Sequence, residues 1–219
     1  DDHYYESPES FFDMVHKYDA VDRKGPKIFV GEWATRKGSP TPDFGAALGD
    51  AAWMTGMERN SDLIVMASYA PLFTNVNPGG MQWAPDLIGY DALRAYGSPS
   101  YWAQVLFAGH LGDHTVKTAA SGVNPRFFWS ATVSTKDKVL HLKLVNASSK
   151  AQALVLELSG AKAGPAAVYS LHAASWWATN SMEHPDAIRP VFSRLLIAGK
   201  KLNHPVEANT IEVIDIPLQ

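Results

Sequence analysis

Residues 27–34, with the sequence KIFVGEWA, constrain the fold of this chain more than any other stretch. Residues 28–30 form a short apolar run bounded on both sides by Gly and Pro, which is typical of a buried parallel strand. Gly31 and the carboxylate of Glu32 follow this run. Catalytic groups of β/α barrels lie where the strands end, so Glu32 is a candidate catalytic residue. The alternative is a carboxylate that caps the strand or forms a salt bridge there.

The first 110 residues alternate between strand-like and helix-like patterns. A Ser-Pro pair begins the first helix, expected over about residues 7–19, and another begins the third helix at Ser98. The second helix is expected from Asp43 to about Asn60, where apolar residues recur at helical spacing. Strands alternating with helices predict parallel βαβ units. Three repeats are too few to close a barrel, so we expect residues 1–112 to be the C-terminal third of a (β/α)8 TIM barrel.

The second half of the chain has a different pattern. Short strand-like runs occur at residues 126–133, 139–145, 153–158, 166–171 and 210–216. Residues 136–138 separate the first two runs as a hairpin turn. Several short strands joined by turns are typical of a β-sandwich. The predicted fold class is therefore α/β plus all-β, with a jelly-roll-like sandwich domain over residues 113–219.

Composition excludes several classes of function. The formal net charge of -3, with no run of basic residues, argues against a nucleic-acid partner. The chain has no cysteine, which excludes disulfide and thiolate chemistry. No apolar stretch reaches the length of a transmembrane helix, so we expect no membrane partner. Secreted and cytoplasmic locations are both compatible with the sequence.

Six short motifs in the first half of the chain resemble those of glycoside hydrolase family 51, the α-L-arabinofuranosidases. They follow one another in the order found in that family. The motifs are residues 2–5 (DHYY), 30–34 (VGEWA), 60–62 (NSD), 67–73 (ASYAPLF), 82–86 (QWAPD) and 97–102 (GSPSYW). The second half resembles the second domain of that family more loosely.

The resemblance implies a retaining hydrolase that releases terminal α-L-arabinofuranosyl units from arabinose-containing oligo- or polysaccharides, without a cofactor or metal. Glu32 would be the nucleophile, and His3, Tyr5 and Gln82 would bind substrate or orient the carboxylate. His3 and Tyr5 stand two residues apart, so on a strand their side chains point the same way. Both match family positions near the nucleophile, so the resemblance implies that Tyr5 hydrogen-bonds Glu32. Without the resemblance, all three would be read as ordinary terminal, rim or loop residues.

The acid/base glutamate of that family follows an asparagine, and the chain contains no Asn-Glu pair. Three barrel strands with unpaired edges are also not expected to be stable alone. We therefore expect a C-terminal piece of a larger enzyme, inactive by itself, whose partner is the missing N-terminal part. Family members often form hexamers, so a homo-oligomer is possible.

Two alternatives remain for the sandwich. It would bind carbohydrate through Trp176 and Trp177, or it would only support the barrel; for the two tryptophans, burial between sheets is the more ordinary expectation. Six histidines show no metal-ligand spacing and are expected to be surface or packing residues: His110, His114, His141, His172, His184 and His204.

Overall fold

The computed structural model describes residues 1–159, 164–196 and 201–219. Its first part alternates strand and helix as the sequence predicts. The elements are β1 (Asp2–Glu6), α1 (Pro8–Met14), β2 (Ile28–Thr35), α2 (Phe44–Arg59) and β3 (Ile64–Tyr69). The three strands form a parallel sheet in the order β1-β2-β3. Three parallel strands in the described residues are fewer than the eight of a closed barrel.

Each helix begins at the polar residue that the sequence indicates. The side chains of Ser7 and Asp43 accept hydrogen bonds from backbone N–H groups three residues later, at 3.1 and 3.0 Å, and so cap α1 and α2. The predicted first helix is too long, because α1 ends at Met14 rather than near residue 19. The chain turns there instead, and Tyr18 donates a hydrogen bond of 2.8 Å to Asp2 Oδ2.

A small sheet and a third helix follow β3. The small sheet contains β4 (Phe73–Asn75), β5 (Ile88–Tyr90) and β6 (Ala95–Gly97). Helix α3 (Pro99–Gly109) begins after Ser98, whose side chain accepts a hydrogen bond of 3.1 Å from Tyr101 N. The Ser-Pro signal therefore locates both helices that it marks.

The second half contains a six-stranded sheet and a two-stranded ribbon. The strands are β7 (His114–Thr115), β8 (Phe127–Ser134), β9 (Val139–Asn146), β10 (Gln152–Glu157), β11 (Ala166–His172), β12 (Val191–Leu195), β13 (Lys201–Val206) and β14 (Thr210–Pro217). The large sheet has the order β12-β11-β14-β9-β8-β7, and β10 pairs with β13. The five predicted strands are confirmed, whereas β7, β12 and β13 were not predicted. The chain is thus mostly β and sandwich-like, with three helices in the described residues.

The six-stranded sheet lies between two apolar clusters because its side chains alternate between faces. In β14, Ile211 and Val213 join a cluster that includes α1, α2 and α3. Ile214 and Ile216 join the other cluster, against the ribbon of β10 and β13. The helices therefore fill the space between the parallel sheet and the large sheet.

A buried ion pair crosses the contact between α2 and the large sheet. Lys143 on β9 has no exposed side-chain surface, and its ammonium pairs with the carboxylate of Glu58 near the end of α2. Ser130 on β8 donates a hydrogen bond to the same carboxylate. Burial lowers the pKa of Lys143, and the negative charge of Glu58 opposes that change.

No described helix is long and apolar enough to cross a membrane.

Candidate functional site

The candidate site is formed by β1 and β2, which run side by side. His3 pairs with Glu32 across the two strands, and Tyr5 pairs with Ala34. Strand β2 has one extra residue relative to both neighbours between Val30 and Trp33, which places a bulge at Gly31 beside Glu32. A bulge changes the direction of the neighbouring side chain and is common next to active sites.

The structure brings three of the predicted site residues together. The Tyr5 hydroxyl donates a hydrogen bond of 2.7 Å to Glu32 Oε2. His3 Nδ1 lies 3.6 Å from the same oxygen, and its Nε2 lies 3.0 Å from Asp1 Oδ2. The hydrogen bond between Tyr5 and Glu32 is as predicted. Glu32 Oε2 is therefore engaged by protein groups, and no such partner is seen for Oε1 in the described residues.

The carboxylate is half exposed, with 46% of the Glu32 side chain accessible to solvent. Partial burial and the hydrogen bond to Glu32 raise the pKa of Tyr5 to about 12. The phenol consequently stays protonated at neutral pH and acts as a donor to the carboxylate. The Arg36 guanidinium lies 5.9 Å from the Tyr5 ring centroid and weakly opposes this rise in pKa.

Buried contacts with α1, α2 and β3 fix the strand that carries Glu32. Trp33, the next residue, is buried and packs edge-on against Phe11 and Tyr69, with ring centroids 6.3 and 5.2 Å away. The backbone N–H of Thr35 donates a hydrogen bond of 2.9 Å to Asp50 on α2. These contacts therefore hold β2 in a fixed position against the helices.

Gln82, the fourth predicted site residue, lies apart from this hydrogen-bonded group. It is exposed on the segment between β4 and β5, and within the described residues no hydrogen bond joins it to His3, Tyr5 or Glu32. Its neighbour Trp83 is 71% exposed. The structure thus presents Gln82 on an open loop surface.

The two tryptophans of the sandwich differ in burial. Trp176 packs edge-on against Phe12 and donates a hydrogen bond of 2.8 Å from Nε1 to Asn209. Trp177 is 76% exposed, so the expectation of burial is wrong for this residue. The ammonium of Lys37 lies 3.4 Å from its ring centroid. Contact with the loop that precedes α2 therefore holds Trp177 at the surface.

Two of the six histidines meet at a carboxylate that the sequence analysis did not single out. His110 and His141 each make a hydrogen bond through Nδ1 to Asp215, at 2.8 and 2.7 Å. Burial raises the pKa of Asp215, but the hydrogen bonds and the charges of the two histidines together outweigh it and hold the pKa below its usual value. The three residues are far apart in the chain, so no local spacing could have indicated the cluster.

Comparison with known proteins identifies the family. Residues 31–209 match the family model described as "Alpha-L-arabinofuranosidase C-terminal domain". The chain belongs to the α-L-arabinofuranosidase C-terminal domain family. The resemblance to glycoside hydrolase family 51 is thereby confirmed, and α-L-arabinofuranosidases are among the relatives in both sequence and structure.

Three relatives show how far the α-L-arabinofuranosidase likeness extends. Alpha-L-arabinofuranosidase 1 of Arabidopsis thaliana is 32% identical over 225 residues, which cover 99% of this chain and 33% of that protein. Alpha-L-arabinofuranosidase 2 of the same plant is 36% identical, over 89% of this chain and 29% of that protein. An arabinose-bound α-L-arabinofuranosidase of glycoside hydrolase family 51 superposes with a TM-score of 0.91 at 32% identity, over all of this chain and 37% of that one. The chain therefore spans about one third of the length of these relatives.

Proposed function

We propose that this chain is the nucleophile-bearing part of a retaining α-L-arabinofuranosidase, with Glu32 as the nucleophile. The hydrogen bond from Tyr5 to Glu32 Oε2 carries the proposal, together with family membership. A nucleophilic carboxylate must be ionised, and a neutral phenol that donates to one oxygen stabilises the ionised form. That arrangement leaves Oε1 to attack.

The proposed chemistry proceeds in two steps. Glu32 Oε1 forms a bond to the anomeric carbon while the glycosidic bond breaks, and a carboxylic acid protonates the departing oxygen. Water, deprotonated by the same carboxyl group, then attacks the anomeric carbon and releases Glu32 and arabinose. His3 would hydrogen-bond the carboxylate or a sugar hydroxyl, and Gln82 would contact the arabinose. The substrates would be oligo- or polysaccharides with terminal α-L-arabinofuranosyl units, such as arabinan and arabinoxylan.

We further propose that residues 1–112 are the C-terminal third of a (β/α)8 barrel and residues 113–219 a separate sandwich domain. Three features support this division: the parallel pairing of β1, β2 and β3, the helix α3 that follows them, and the antiparallel sheet of the second half. On β3, Val65 and Met66 are 59% and 58% exposed, which is unusual for apolar residues of a parallel strand. The remaining barrel strands, from the N-terminal part of the enzyme, would cover them and supply the acid/base carboxyl about 5 to 5.5 Å from Glu32.

Hydrolysis of a chromogenic α-L-arabinofuranoside by the full-length parent enzyme tests the assignment of Glu32. Glu32→Ala should lower kcat by about 10³-fold or more, as removal of other catalytic nucleophiles does. Azide, a small external nucleophile, should restore turnover of this variant and yield an arabinosyl azide of inverted anomeric configuration. The chain alone should be at least about 10²- to 10⁴-fold less active than the parent, since it lacks general acid assistance.

Glu9→Ala is the matched control, since Glu9 is an exposed glutamate in the first turn of α1. It should leave kcat unchanged. Full activity in Glu32→Ala, or azide rescue that is equal in both variants, would refute the nucleophile assignment.

One observation favours a second candidate function, carbohydrate binding by the sandwich. Trp177 presents an exposed ring at a fixed position, and flat aromatic rings suit stacking on sugars. Binding of arabinan or arabinoxylan to the chain should then survive Glu32→Gln and disappear in Trp177→Ala. Absence of binding by the unmodified chain would leave the sandwich with a supporting role only.

A further inference from the structure

The cluster of His110, His141 and Asp215 joins three elements of the fold. His110 directly follows α3 as its C-cap, while His141 and Asp215 face each other across the paired strands β9 and β14. One nitrogen of each imidazole and one oxygen of the carboxylate lie within 4.8 Å of one another. The fold therefore places three potential metal ligands together, two on rigid strands and one at the end of a helix.

This set of donors suits a first-row divalent cation. Imidazole nitrogen and carboxylate oxygen are common ligands of Zn²⁺, and two histidines with one carboxylate are a recurrent protein ligand set. Bonds of about 2.0–2.1 Å in a tetrahedral centre separate neighbouring ligand atoms by about 3.3 Å. His110 contacts Oδ2 of Asp215 and His141 contacts Oδ1, at 2.8 and 2.7 Å, so an ion that replaces these hydrogen bonds would lie between the two imidazoles and the carboxylate.

The surroundings favour a bound cation over a solvated one. Only 15%, 11% and 20% of the side chains of His110, His141 and Asp215 are exposed. The Tyr169 ring lies 4.6 Å from the His110 ring and restricts its rotation. Lys143 lies on the same strand as His141, but its charge is compensated by Glu58. Among the described residues, Asp215 forms salt bridges only with the two histidines and with no lysine or arginine.

A groove reaches the cluster at His110. It has a volume of about 600 Å³ and is lined by His110 and Tyr169, together with Trp102, Arg189 and Phe192. A catalytic or exchangeable zinc site keeps one coordination position open, whereas a structural site is closed by four protein ligands. With three protein ligands, the fourth position would be left for water.

We propose that His110, His141 and Asp215 form a binding site for one first-row divalent cation, with Zn²⁺ as the best match. The ion would link the end of α3 to the central strands of the sandwich. Because these ligands are brought together only by folding, the ion would bind the folded chain and stabilise it.

Equilibrium dialysis of the full chain against Zn²⁺, combined with thermal unfolding, tests the site. The chain should bind one equivalent of Zn²⁺, and its Tm should rise with Zn²⁺ concentration. His110→Gln and Asp215→Asn should each weaken binding by at least about tenfold, since even residues that only orient metal ligands contribute that much. Co²⁺ in place of Zn²⁺ should give visible absorption bands of a low-symmetry site, and the same substitutions should abolish them.

His16→Gln is the matched control, because His16 also contacts a single aspartate, at 2.7 Å from Asp19, but on the surface and without a second histidine. This variant should bind Zn²⁺ as the unmodified chain does. His110 lies outside the strand pairing, so His110→Gln keeps the test valid if Asp215→Asn does not fold. Failure of the unmodified chain to bind one equivalent, or equal binding by His110→Gln, would show that the cluster is only a hydrogen-bond network.

Discussion

The buried carboxyl of Asp50 should make the stability of this chain depend on pH. Asp50 lies within α2 with no exposed surface, and its Oδ1 accepts a hydrogen bond of 2.9 Å from Thr35 N. Burial raises the pKa of Asp50 to about 6, although the hydrogen bond from Thr35 N opposes the rise. The carboxyl of Asp50 therefore stays neutral up to a higher pH than that of a freely exposed aspartate.

The direction of the pH effect follows from the pKa of Asp50 in the folded and in the unfolded chain. The pKa of Asp50 is about 6 in the folded chain, whereas an aspartate freely exposed to water, as in the unfolded chain, has a pKa of 3.8. The neutral carboxyl therefore favours folding at low pH, and this contribution is lost as the pH rises through about 6. Linkage gives a loss of about 3 kcal/mol in total, of which about 2 kcal/mol falls between about pH 4.5 and 7.5.

Asp50→Asn isolates this contribution. The amide retains an oxygen that can accept from Thr35 N and has no charge to bury. Urea unfolding at several pH values should show that the variant gains stability relative to the unmodified chain by about 2 kcal/mol between about pH 4.5 and 7.5. The carboxyl of Asp86, whose pKa burial also raises to about 6, is present in both proteins and largely cancels in the difference.

Asp50→Ala is the control. It removes the acceptor for Thr35 N and leaves a small cavity, so it should lower the free energy of unfolding by about 1–3 kcal/mol at low pH. This deficit should shrink by about 2 kcal/mol between about pH 4.5 and 7.5, because alanine, like asparagine, has no charge to bury. Parallel pH profiles for the unmodified chain and Asp50→Asn would refute the argument, since Asp50 would then ionise as readily in the folded chain as in the unfolded one.

Three further substitutions test other contacts. Tyr5→Phe in the parent enzyme should lower kcat/KM for a chromogenic arabinofuranoside by about 10- to 100-fold, because a hydrogen bond to a charged group contributes about 1.5–3 kcal/mol; unchanged kinetics would separate Tyr5 from the chemistry. Lys143→Met should lower the free energy of unfolding by about 3–5 kcal/mol in urea, because the Glu58 carboxylate stays buried without its partner. The double variant Lys143→Met, Glu58→Gln should recover part of that loss. Gly56→Ala should lower Tm, because a Cβ there would overlap the backbone carbonyl of Val15; a Tm equal to that of the unmodified chain would mean that this contact is loose.

Local signals in the sequence predicted much of the first half of the chain. Ser7, Asp43 and Ser98 mark the three helix starts because an N-cap side chain satisfies backbone N–H groups within its own turn. The contact between Tyr5 and Glu32 was implied by the family resemblance, and it needs only adjacent strands and alternating side chains to form. Such features depend on residues that are near in the chain or on one pairing.

The unpredicted strands lack a clear local pattern. Strand β13 contains Pro205, which normally argues against a strand, yet it pairs with β10 as half of a two-stranded ribbon. Strand β7 has only two residues and is defined by its pairing with β8. These segments are strands because a neighbouring strand supplies the hydrogen bonds.

The complete burial of helix α2 could not be predicted from the sequence alone. Its spacing of apolar residues predicts one buried face, whereas every residue from Phe44 to Met57 is buried. The parallel sheet covers one side of the helix and the large sheet covers the other, and this is why Asp50 lies in an apolar interior.

The sequence therefore determined the family, the helix starts, the main strands and the pairing of Tyr5 with Glu32. Only the tertiary structure decided the burial of Asp50, the pairing of Lys143 with Glu58 and the meeting of two histidines at Asp215. The physical reason is that turns, caps and alternation act over a few residues, whereas desolvation and charge pairing depend on whichever elements the fold packs together.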